Sequence, residues 1–200
     1  MADRLQPEEI EAVGRIWRLA DREVWIVTAS HNERRGGLLA TWVSPVTLDP
    51  AEPLMLATLA PNHFTAELVE GGGGFTLHLL ATHQTELAWN FALGSGRERD
   101  KLAGLEVRES ECGPILAAAL TWMECRVVAR LATADRTYFW GRVVSAGPPP
   151  GEPPLREQAF IASANDEQRR RLIAERDADI GLHAPLRAEW LANLPEWLRP

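Results

Sequence analysis

The stretch from Gly36 to Thr65, GGLLATWVSPVTLDPAEPLMLATLAPNHFT, decides the fold. Leu38–Val43 and Leu54–Leu59 are short and largely apolar runs, which is the pattern of two strands. Prolines cannot donate to a sheet ladder, and three of them separate the two runs. They are Pro45, Pro50 and Pro53. The stretch therefore predicts a strand, a sharp bend and a second strand, followed by a loop.

Small polar side chains interrupt this apolar pattern. They are Thr41, Ser44, Thr47, Asn62, His63 and Thr65. Asn62 is a good N-cap residue for a short helix over His63 to Glu70, and the first turn of a helix presents N–H groups without an intrahelical acceptor. Such groups and small hydroxyls suffice to hold a phosphate. The pattern predicts either a phosphate-bearing ligand or ordinary strand threonines and a helix cap.

The rest of the chain predicts more short strands, with helices used as connectors. The strands are Val24–Ala29, Phe75–Leu80, Thr121–Leu131 and Tyr138–Ala146. The helices are Pro7–Ala20 and Thr82–Leu93, the second with Thr82 as N-cap, and SHNERRGG is a polar turn. Regular alternation of strand and helix is absent. We expect a mainly β fold with helices, an antiparallel barrel or sandwich.

Three regions differ in composition. Residues 1–20 form an N-terminal helix, residues 21–147 form the barrel domain, and residues 148–200 form a proline-rich linker and a helical C-terminal arm. The linker GPPPGEPP is stiff because of its prolines. In the arm, Asn165 caps one helical segment, and APLRAEWLANLPEWLRP forms a second. The arm packs on its own barrel, wraps a partner subunit or covers a cofactor.

Charge and composition exclude several function classes. The net charge of −7 argues against a nucleic-acid groove. No apolar run approaches the ~18 residues that cross a bilayer, and the N-terminus does not resemble a signal peptide, so we expect a cytoplasmic protein without a membrane partner. Cys112 and Cys125 are expected to be free thiols. The five histidines lack metal-site spacing, and no catalytic constellation or dinucleotide motif is present.

Several ordered segments resemble the flavin reductase-like, FMN-binding split-barrel family. They are VTASHNERRGGLLATWVSPVTLDPAEPLMLATLAPNHFT, GGFTLHLL, HQTELAWNFALGSGRERDKLAGLEV, GPILAAALTWMECRVV and FWGRVVSAG. Together they cover about residues 20–147. The form TWVS is similar to the flavin-reductase module fused to flavodiiron-type proteins. The resemblance implies an antiparallel split β-barrel with the C-terminal helices as an extension, and a homodimer.

The resemblance also implies where a flavin would bind. FMN, with FAD as an alternative, would lie in a groove at the edge of the barrel. Leu39, Ala40, Thr41 and Trp42 would run beside its ring system, and Ser44 would lie near the ribityl–phosphate side. Asn62, His63 and Thr65 would help to bind the phosphate, with a charge-assisted bond from His63 if that ring is protonated. The position of His78 also belongs to this set, and the family usually has Asn there. Phe91 either closes one side of the flavin or packs in the core, and Trp42 is likewise either a groove or a core residue.

A second departure concerns nicotinamide. Reductases of this family often carry a Gly–Asp–His turn before the last strand, where this chain has TADRTYFW. Asp135 matches the Asp, while Arg136 replaces the His; arginine can grip a nicotinamide phosphate but cannot donate a proton at neutral pH. The resemblance therefore implies flavin binding more strongly than it implies oxidation of NAD(P)H.

Three functions follow from these observations. The first is an NAD(P)H-dependent flavin oxidoreductase that passes electrons through bound flavin to oxygen, a partner protein or free flavin. The second is an FMN-binding electron carrier without reductase activity. The third is a non-catalytic interaction protein that keeps the barrel. No side chain is predicted to be catalytic, because the cofactor carries the chemistry.

Overall fold

A computed structural model of the chain describes residues 5–199. The helices are α1 (Pro7–Leu19), α2 (Phe64–Gly72), α3 (Thr85–Ala92), α4 (Glu157–Ala162) and α5 (Asp166–Ala192), with a 3-10 turn at Glu196–Leu198. The strands are β1 (Trp25–His31), β2 (Arg34–Ala40), β3 (Val43–Pro45), β4 (Leu54–Leu59), β5 (Gly74–Leu79), β6 (Val107–Arg108), β7 (Ile115–Leu116), β8 (Thr121–Ala132) and β9 (Thr137–Ala146).

Seven of the strands form one antiparallel sheet in the order β2-β1-β5-β8-β9-β4-β3. Its two edge strands, β2 and β3, are consecutive in the chain and are separated only by Thr41 and Trp42. The sheet therefore curls until its edges approach each other, without the ladder that would close them. This is the predicted split barrel, and the seam between its edges is the feature that matters for the site.

Two hydrophobic clusters hold the sheet to its helices. Val27 of β1 belongs to the cluster that joins the sheet to α2, and the adjacent Ile26 belongs to the cluster that joins it to α3 and α4. Successive residues of a strand point to opposite faces, so one strand serves both clusters. Both cysteines are free, as predicted, and both are buried.

Adjacent glycines in β2 let a helix approach each face of that strand. A Cβ on Gly36 would lie 2.9 Å from Cε1 of Phe64 in α2, and one on Gly37 would lie 2.7 Å from Cε1 of Phe91 in α3. Any larger residue at either position would push a helix away from the seam.

The structure corrects several sequence-based boundaries. The predicted polar turn Ser30–Gly37 is mostly strand, because β1 and β2 form a hairpin that turns only at Asn32 and Glu33, with φ of 48° and 62°. Positive φ at both turn residues is typical of a two-residue hairpin, and Asn tolerates this conformation well.

The predicted strand Leu38–Val43 is interrupted at Thr41 and Trp42, so it forms the end of β2 and the start of β3.

The helix boundaries differ in a similar way. Helix α3 begins three residues later than predicted, with Gln84 rather than Thr82 at its N-cap, and the Thr82 hydroxyl instead donates to the carbonyl of Pro153 at 3.3 Å. The two predicted segments of the arm are a single helix, α5, that runs through Pro185. Asn165 caps α5 as predicted, with the Gln168 N–H donating to its side chain.

The proline-rich linker returns to the sheet before the arm begins. Leu155 donates its N–H to the carbonyl of Leu80 at 2.7 Å and accepts a hydrogen bond from the N–H of Val24 at 2.9 Å. The Leu155 side chain is completely buried. The end of the linker is thus hydrogen-bonded next to the start of β1 and the end of β5, and α4 begins directly after this contact.

Candidate functional site

The open seam of the barrel is a groove of about 160 Å³. It is lined by the end of β2, the Thr41–Trp42 break, the end of β4 and two residues beyond. The lining residues are Leu38, Leu39, Ala40, Thr41, Trp42, Thr58, Leu59, Ala60, His63 and Arg136. Edge strands present backbone N–H and C=O groups that no neighbouring strand uses. The seam therefore offers both backbone polar groups and an apolar floor to a ligand.

Trp42 forms one wall of this groove. Its side chain is 46% exposed, so it is not a core residue, and the guanidinium carbon of Arg136 lies 5.2 Å from its ring centroid. This is cation–π geometry. Arg136 comes from the turn between β8 and β9, where its Nη1 also donates to the carbonyl of Asp135 at 2.5 Å. An aromatic face and a cation thus meet at the mouth of the seam.

The start of α2 lies at one end of the groove. His63, rather than Asn62 as predicted, is the N-cap residue, and α2 begins at Phe64. The first N–H groups of a helix have no intrahelical acceptor, so this terminus favours negative charge. Arg97 fixes the preceding loop by donating from Nη1 to the carbonyl of Asn62 at 2.9 Å.

A carboxylate of α5 already contacts this terminus. Asn62 Nδ2 donates to Asp179 Oδ1 at 2.9 Å, and His63 Nε2 donates to Asp179 Oδ2 at 3.1 Å. Burial, with smaller effects of Arg136 and Lys101, lowers the pKa of His63 against the opposing effect of Asp179. This favours the neutral ring, with the Nε2 proton directed at the carboxylate. The charge-assisted contact that a protonated His63 would make is not favoured.

A second cavity, of about 250 Å³, lies between α5 and the barrel. It shares His63 and Arg136 with the seam groove, so the two spaces meet there. The remaining lining residues are Ala92, Asp135, Leu172, Glu175, Arg176, Asp179, Ile180, His183 and Arg187. Arg187 Nη1 donates to Asp135 Oδ2 at 3.1 Å. Six charged residues line a space of this size, which is unusual for the contact between a helix and its own domain.

The structure brings six of the predicted residues together around the groove: Leu39, Ala40, Thr41, Trp42, His63 and Arg136. Asn62 and the buried Thr65 flank His63 at the start of α2, and Asp135 lines the adjoining cavity. Ser44 lies on β3 with its side chain exposed.

His78 and Phe91 lie away from the groove lining. His78 is fully buried: its Nδ1–H donates to the Ile26 carbonyl at 3.2 Å, and its Nε2 accepts from the Leu116 N–H at 3.1 Å. Burial lowers the pKa of His78 to about 4, despite the opposing effect of the Ile26 hydrogen bond. Phe91 is 1% exposed and packs in the cluster that joins the sheet to α3 and α4.

Sequence reasoning missed two contributors to the region. Lys101 is buried, donates from Nζ to the Phe91 carbonyl at 2.9 Å, and has a pKa lowered to about 8 mainly by burial. Its charge is close enough to His63 to help to lower the pKa of that ring. Lys101 is the only lysine of the chain, which has twenty arginines. This isolation was the one feature of the sequence that could have marked it. Asp179 gave no signal, because it lies among many charged residues of the arm.

The residues present fit a flavin ring system better than its phosphate end. The seam offers backbone edges and an indole face, and Asn62 Oδ1 is a buried acceptor without a donor among residues 5–199. The ribityl hydroxyls of a flavin are donors of the required kind. At the phosphate end, however, the side chains of Asn62 and His63 are engaged by Asp179.

Two further site types were sought over the described residues 5–199. No cluster of three or more histidine, cysteine, aspartate or glutamate side chains is placed to hold a metal ion. None of the helices in that range combines the length and the apolar character that a membrane span requires.

Relatives of this chain include proteins named as a rubredoxin and as a diflavin flavoprotein. It is 32% identical over 126 residues to a high molecular weight rubredoxin of Moorella thermoacetica, covering 62% of this chain and 54% of the relative. It is 28% identical over 137 residues to diflavin flavoprotein A 1 of Synechocystis sp., covering 68% of this chain and 23% of the relative. The chain thus spans between about a quarter and about half of the length of these relatives.

Another relative is named as a reductase. It is the NADH-dependent FMN reductase AsuE2 of Streptomyces nodosus subsp. asukaensis, 32% identical over 125 residues, with 60% of this chain and 65% of the relative covered.

A structural superposition and a family model point to the same group of proteins. The NADH:FAD oxidoreductase SgcE6 of Streptomyces globisporus superposes with a TM-score of 0.66 at 22% identity, covering 78% of this chain and 92% of that one, which shows a shared fold. The family model for the flavin reductase like domain matches residues 17–157. The match includes the whole sheet and ends at the start of α4, so α5 lies outside it. The chain therefore belongs to the family of proteins with a flavin reductase like domain.

Proposed function

We propose that the chain is an FMN-binding flavin oxidoreductase that uses NAD(P)H, with FMN held in the seam groove. The single observation that carries the proposal is the groove itself: Leu39, Ala40, Thr41 and Trp42 line it together with His63 and Arg136. These residues were singled out by their order in the sequence, and the fold collects them at the one place where the sheet leaves its edges open.

Each part of the groove has a role in this proposal. The backbone of Leu39 to Thr41 would hydrogen-bond the edge of the flavin ring, and the exposed face of Trp42 would pack beside it. Ser44 would lie toward the ribityl chain. The first turn of α2, with Asn62, His63 and Thr65, would hold the phosphate. The phosphate monoester of FMN carries more charge than either single phosphate of FAD, so FMN suits this terminus, and FAD remains the alternative.

His78 and Phe91 would support the groove from behind. His78 ties β1 and β5 to the Leu116 N–H, and Phe91 packs against Gly37 beneath β2. Both fix the strand whose edge lines the groove. This assigns them to positioning rather than to contact with the flavin.

The nicotinamide would approach past Arg136. Its guanidinium lies at the junction of the groove and the α5 cavity, where it can meet a phosphate or pyrophosphate. Asp135 is paired with Arg187 at 3.1 Å. A bound flavin supplies the redox chemistry by accepting hydride and passing electrons on, and the protein supplies orientation and exclusion of water.

Steady-state oxidation of NADH and NADPH in the presence of FMN tests this proposal. We expect FMN-dependent consumption of at least one of the two nucleotides, and the preferred one identifies the co-substrate. A protein that binds FMN tightly but oxidises neither nucleotide would instead be an electron carrier. Arg136 favours this second candidate, because it replaces the histidine of the family turn. A protein that binds no flavin would be a non-catalytic interaction module.

We further propose that the protein is a homodimer. Helix α1 begins with acidic residues and carries an apolar face, yet Ile10, Ile16 and Trp17 are all more than half exposed. An amphipathic helix normally buries its apolar face, so a second copy would cover it. Sedimentation equilibrium should give twice the mass of one chain.

We propose that the electron acceptor of the reduced flavin is oxygen, free flavin or a partner protein.

A further inference from the structure

Helix α5 is docked on the barrel mostly by polar and charged residues. His183 is its one fully buried residue and Leu172 packs against the cluster that joins the sheet to α3 and α4, while Ile180, Leu182, Leu186 and Leu191 are each about half exposed. A helix that belongs to a core normally shows the opposite arrangement. The residues that α5 turns toward the barrel include Glu175, Arg176, Asp179 and Arg187, and they line the cavity beside the groove.

Asp179 makes the most specific of these contacts. Its two carboxylate oxygens each accept one hydrogen bond, from Asn62 Nδ2 at 2.9 Å and from His63 Nε2 at 3.1 Å. Two oxygens of a phosphate monoester have nearly the same spacing and the same preference for donors at a helix start. Asp179 therefore occupies the donors that the phosphate of the proposed flavin requires.

The two anions exclude each other. A carboxylate and a phosphate that share two donors would lie within a few ångströms of one another, and like charges at that distance repel strongly in a partly buried site. One of them must leave.

The remaining polar contacts between this part of α5 and the barrel are few. Gly94 N–H donates to the Glu175 carboxylate at 3.2 Å, Arg187 pairs with Asp135, and the buried Nε2 of His183 has no partner within residues 5–199. Pro185 lies inside the helix, and a proline there removes one intrahelical hydrogen bond. Gly181, one turn earlier, has the weakest helix propensity after proline. The segment is thus the part of α5 that is most easily displaced.

We propose that α5 is a displaceable cover of the flavin site, held closed by Asp179 in the place of the phosphate. Flavin phosphate and Asp179 compete for Asn62 and His63, so binding of FMN opens the cover and the closed cover weakens binding of FMN. This inference rests on the proposed flavin site, and it concerns a segment outside the matched flavin reductase like domain.

The matched pair Asp179→Ala and Asp177→Ala tests the competition. Asp177 lies on the same helix, exposed, and its ion pair is with the adjacent Arg176. Binding of FMN and of riboflavin, which lacks the phosphate, is measured by flavin fluorescence for the wild type and both variants. We expect Asp179→Ala to bind FMN about tenfold more tightly, since two competing hydrogen bonds are removed. Riboflavin affinity should not change, and Asp177→Ala should match the wild type for both ligands.

Hydrogen exchange of α5 supplies a second readout. Adding FMN should speed exchange in residues 176–187 of the wild type, while riboflavin should not. Equal or weaker FMN binding by Asp179→Ala, or slower exchange of α5 with FMN, overturns the cover and leaves the flavin site standing. If neither the wild type nor Asp179→Ala binds either flavin, the proposed function itself fails. Binding of FMN by Asp179→Ala alone would support both proposals.

Discussion

The guanidinium carbon of Arg136 lies 5.2 Å from the ring centroid of Trp42, across the mouth of the seam groove. Arg136 comes from the turn between β8 and β9, whereas Trp42 comes from the break between the two edge strands. The contact joins two parts of the chain that are far apart in sequence. It also places a cation and an aromatic face where a planar, phosphorylated ligand would enter.

Removal of the indole should weaken flavin binding without unfolding the barrel. Trp42→Ala is expected to raise the Kd for FMN about tenfold, because stacking of an aromatic pair contributes about 0.5–1.5 kcal/mol beyond the buried area. The half-exposed position of Trp42 makes a large loss of stability unexpected. Isothermal titration with FMN measures the change. Trp42→Phe is the matched control, since it keeps an aromatic face, and it should retain most of the affinity. Equal losses in both variants would contradict stacking.

Arg136 should affect the nicotinamide more than the flavin. Arg136→Gln is expected to raise KM for the preferred nucleotide by about tenfold, as expected when a charged hydrogen bond is lost, with kcat little changed. Steady-state kinetics at saturating FMN separate the two parameters. Arg130→Gln is a suitable control, because Arg130 is an exposed residue of β8 that pairs with Glu70. If kcat falls while KM stays constant, Arg136 has a role in the hydride step that its chemistry does not suggest.

His78 should make the protein less stable in mild acid. Its pKa is about 4 in the fold and 6.5 in an unfolded chain, so the unfolded state binds more protons below pH 6.5. The contribution of neutral His78 is complete above pH 6.5 and is lost as the pH falls toward 4, by about 3 kcal/mol in total. Protonation would also end the hydrogen bond that Nε2 accepts from the Leu116 N–H.

Urea unfolding at pH 7.5, 6.0 and 5.0 measures this dependence. His78→Gln should be less stable at pH 7.5 by about 1–3 kcal/mol, the cost of disturbing a buried hydrogen bond, and should show a shallower decline in acid. His83→Gln provides the comparison, since the His83 side chain is 70% exposed. An unchanged decline in His78→Gln would assign the acid sensitivity to other groups.

Variants at Gly37 and Phe91 distinguish a core role of Phe91 from a role in contact with the flavin. Gly37→Ala should destabilise the protein, because the new Cβ would lie 2.7 Å from Phe91 Cε1 and 3.1 Å from Thr28 Cγ2. Phe91→Ala should cost about 3–5 kcal/mol of unfolding free energy. Thermal unfolding measures both, and Gly151→Ala, with nothing within 4 Å of its Cβ, should be neutral. A stable Phe91→Leu protein that binds FMN much more weakly would place Phe91 against the flavin instead.

Much of the sheet was predictable because its strands carry local signals. Leu54–Leu59 was predicted with its observed bounds, and β8 and β9 were predicted to within one residue at each end. The hairpin of β1 and β2 was missed in part. Arg34 and Arg35 sit on an exposed strand end, where polar residues cost nothing, and their composition resembles that of a turn.

The candidate site was predictable only where its residues lie close together in sequence. Thr41 within Leu39–Trp42, and the polar side chains within Asn62–Thr65, interrupt apolar runs in two short segments, and the fold brings residues of both to the seam. Asp179 lies more than 110 residues from Asn62, and a carboxylate in a charged helix carries no local mark of its partner. Continuation of α5 through Pro185 was likewise hidden, because a proline inside a helix normally ends it.

The central claim, that the seam groove binds flavin, is tested most directly by equilibrium dialysis of the purified protein against FMN, read by flavin absorbance. The account predicts saturable retention of one FMN per chain, with absorption bands shifted from those of free FMN by contact with Trp42 and the strand edge. Free passage of both FMN and FAD, with unshifted bands at saturating protein, would contradict it.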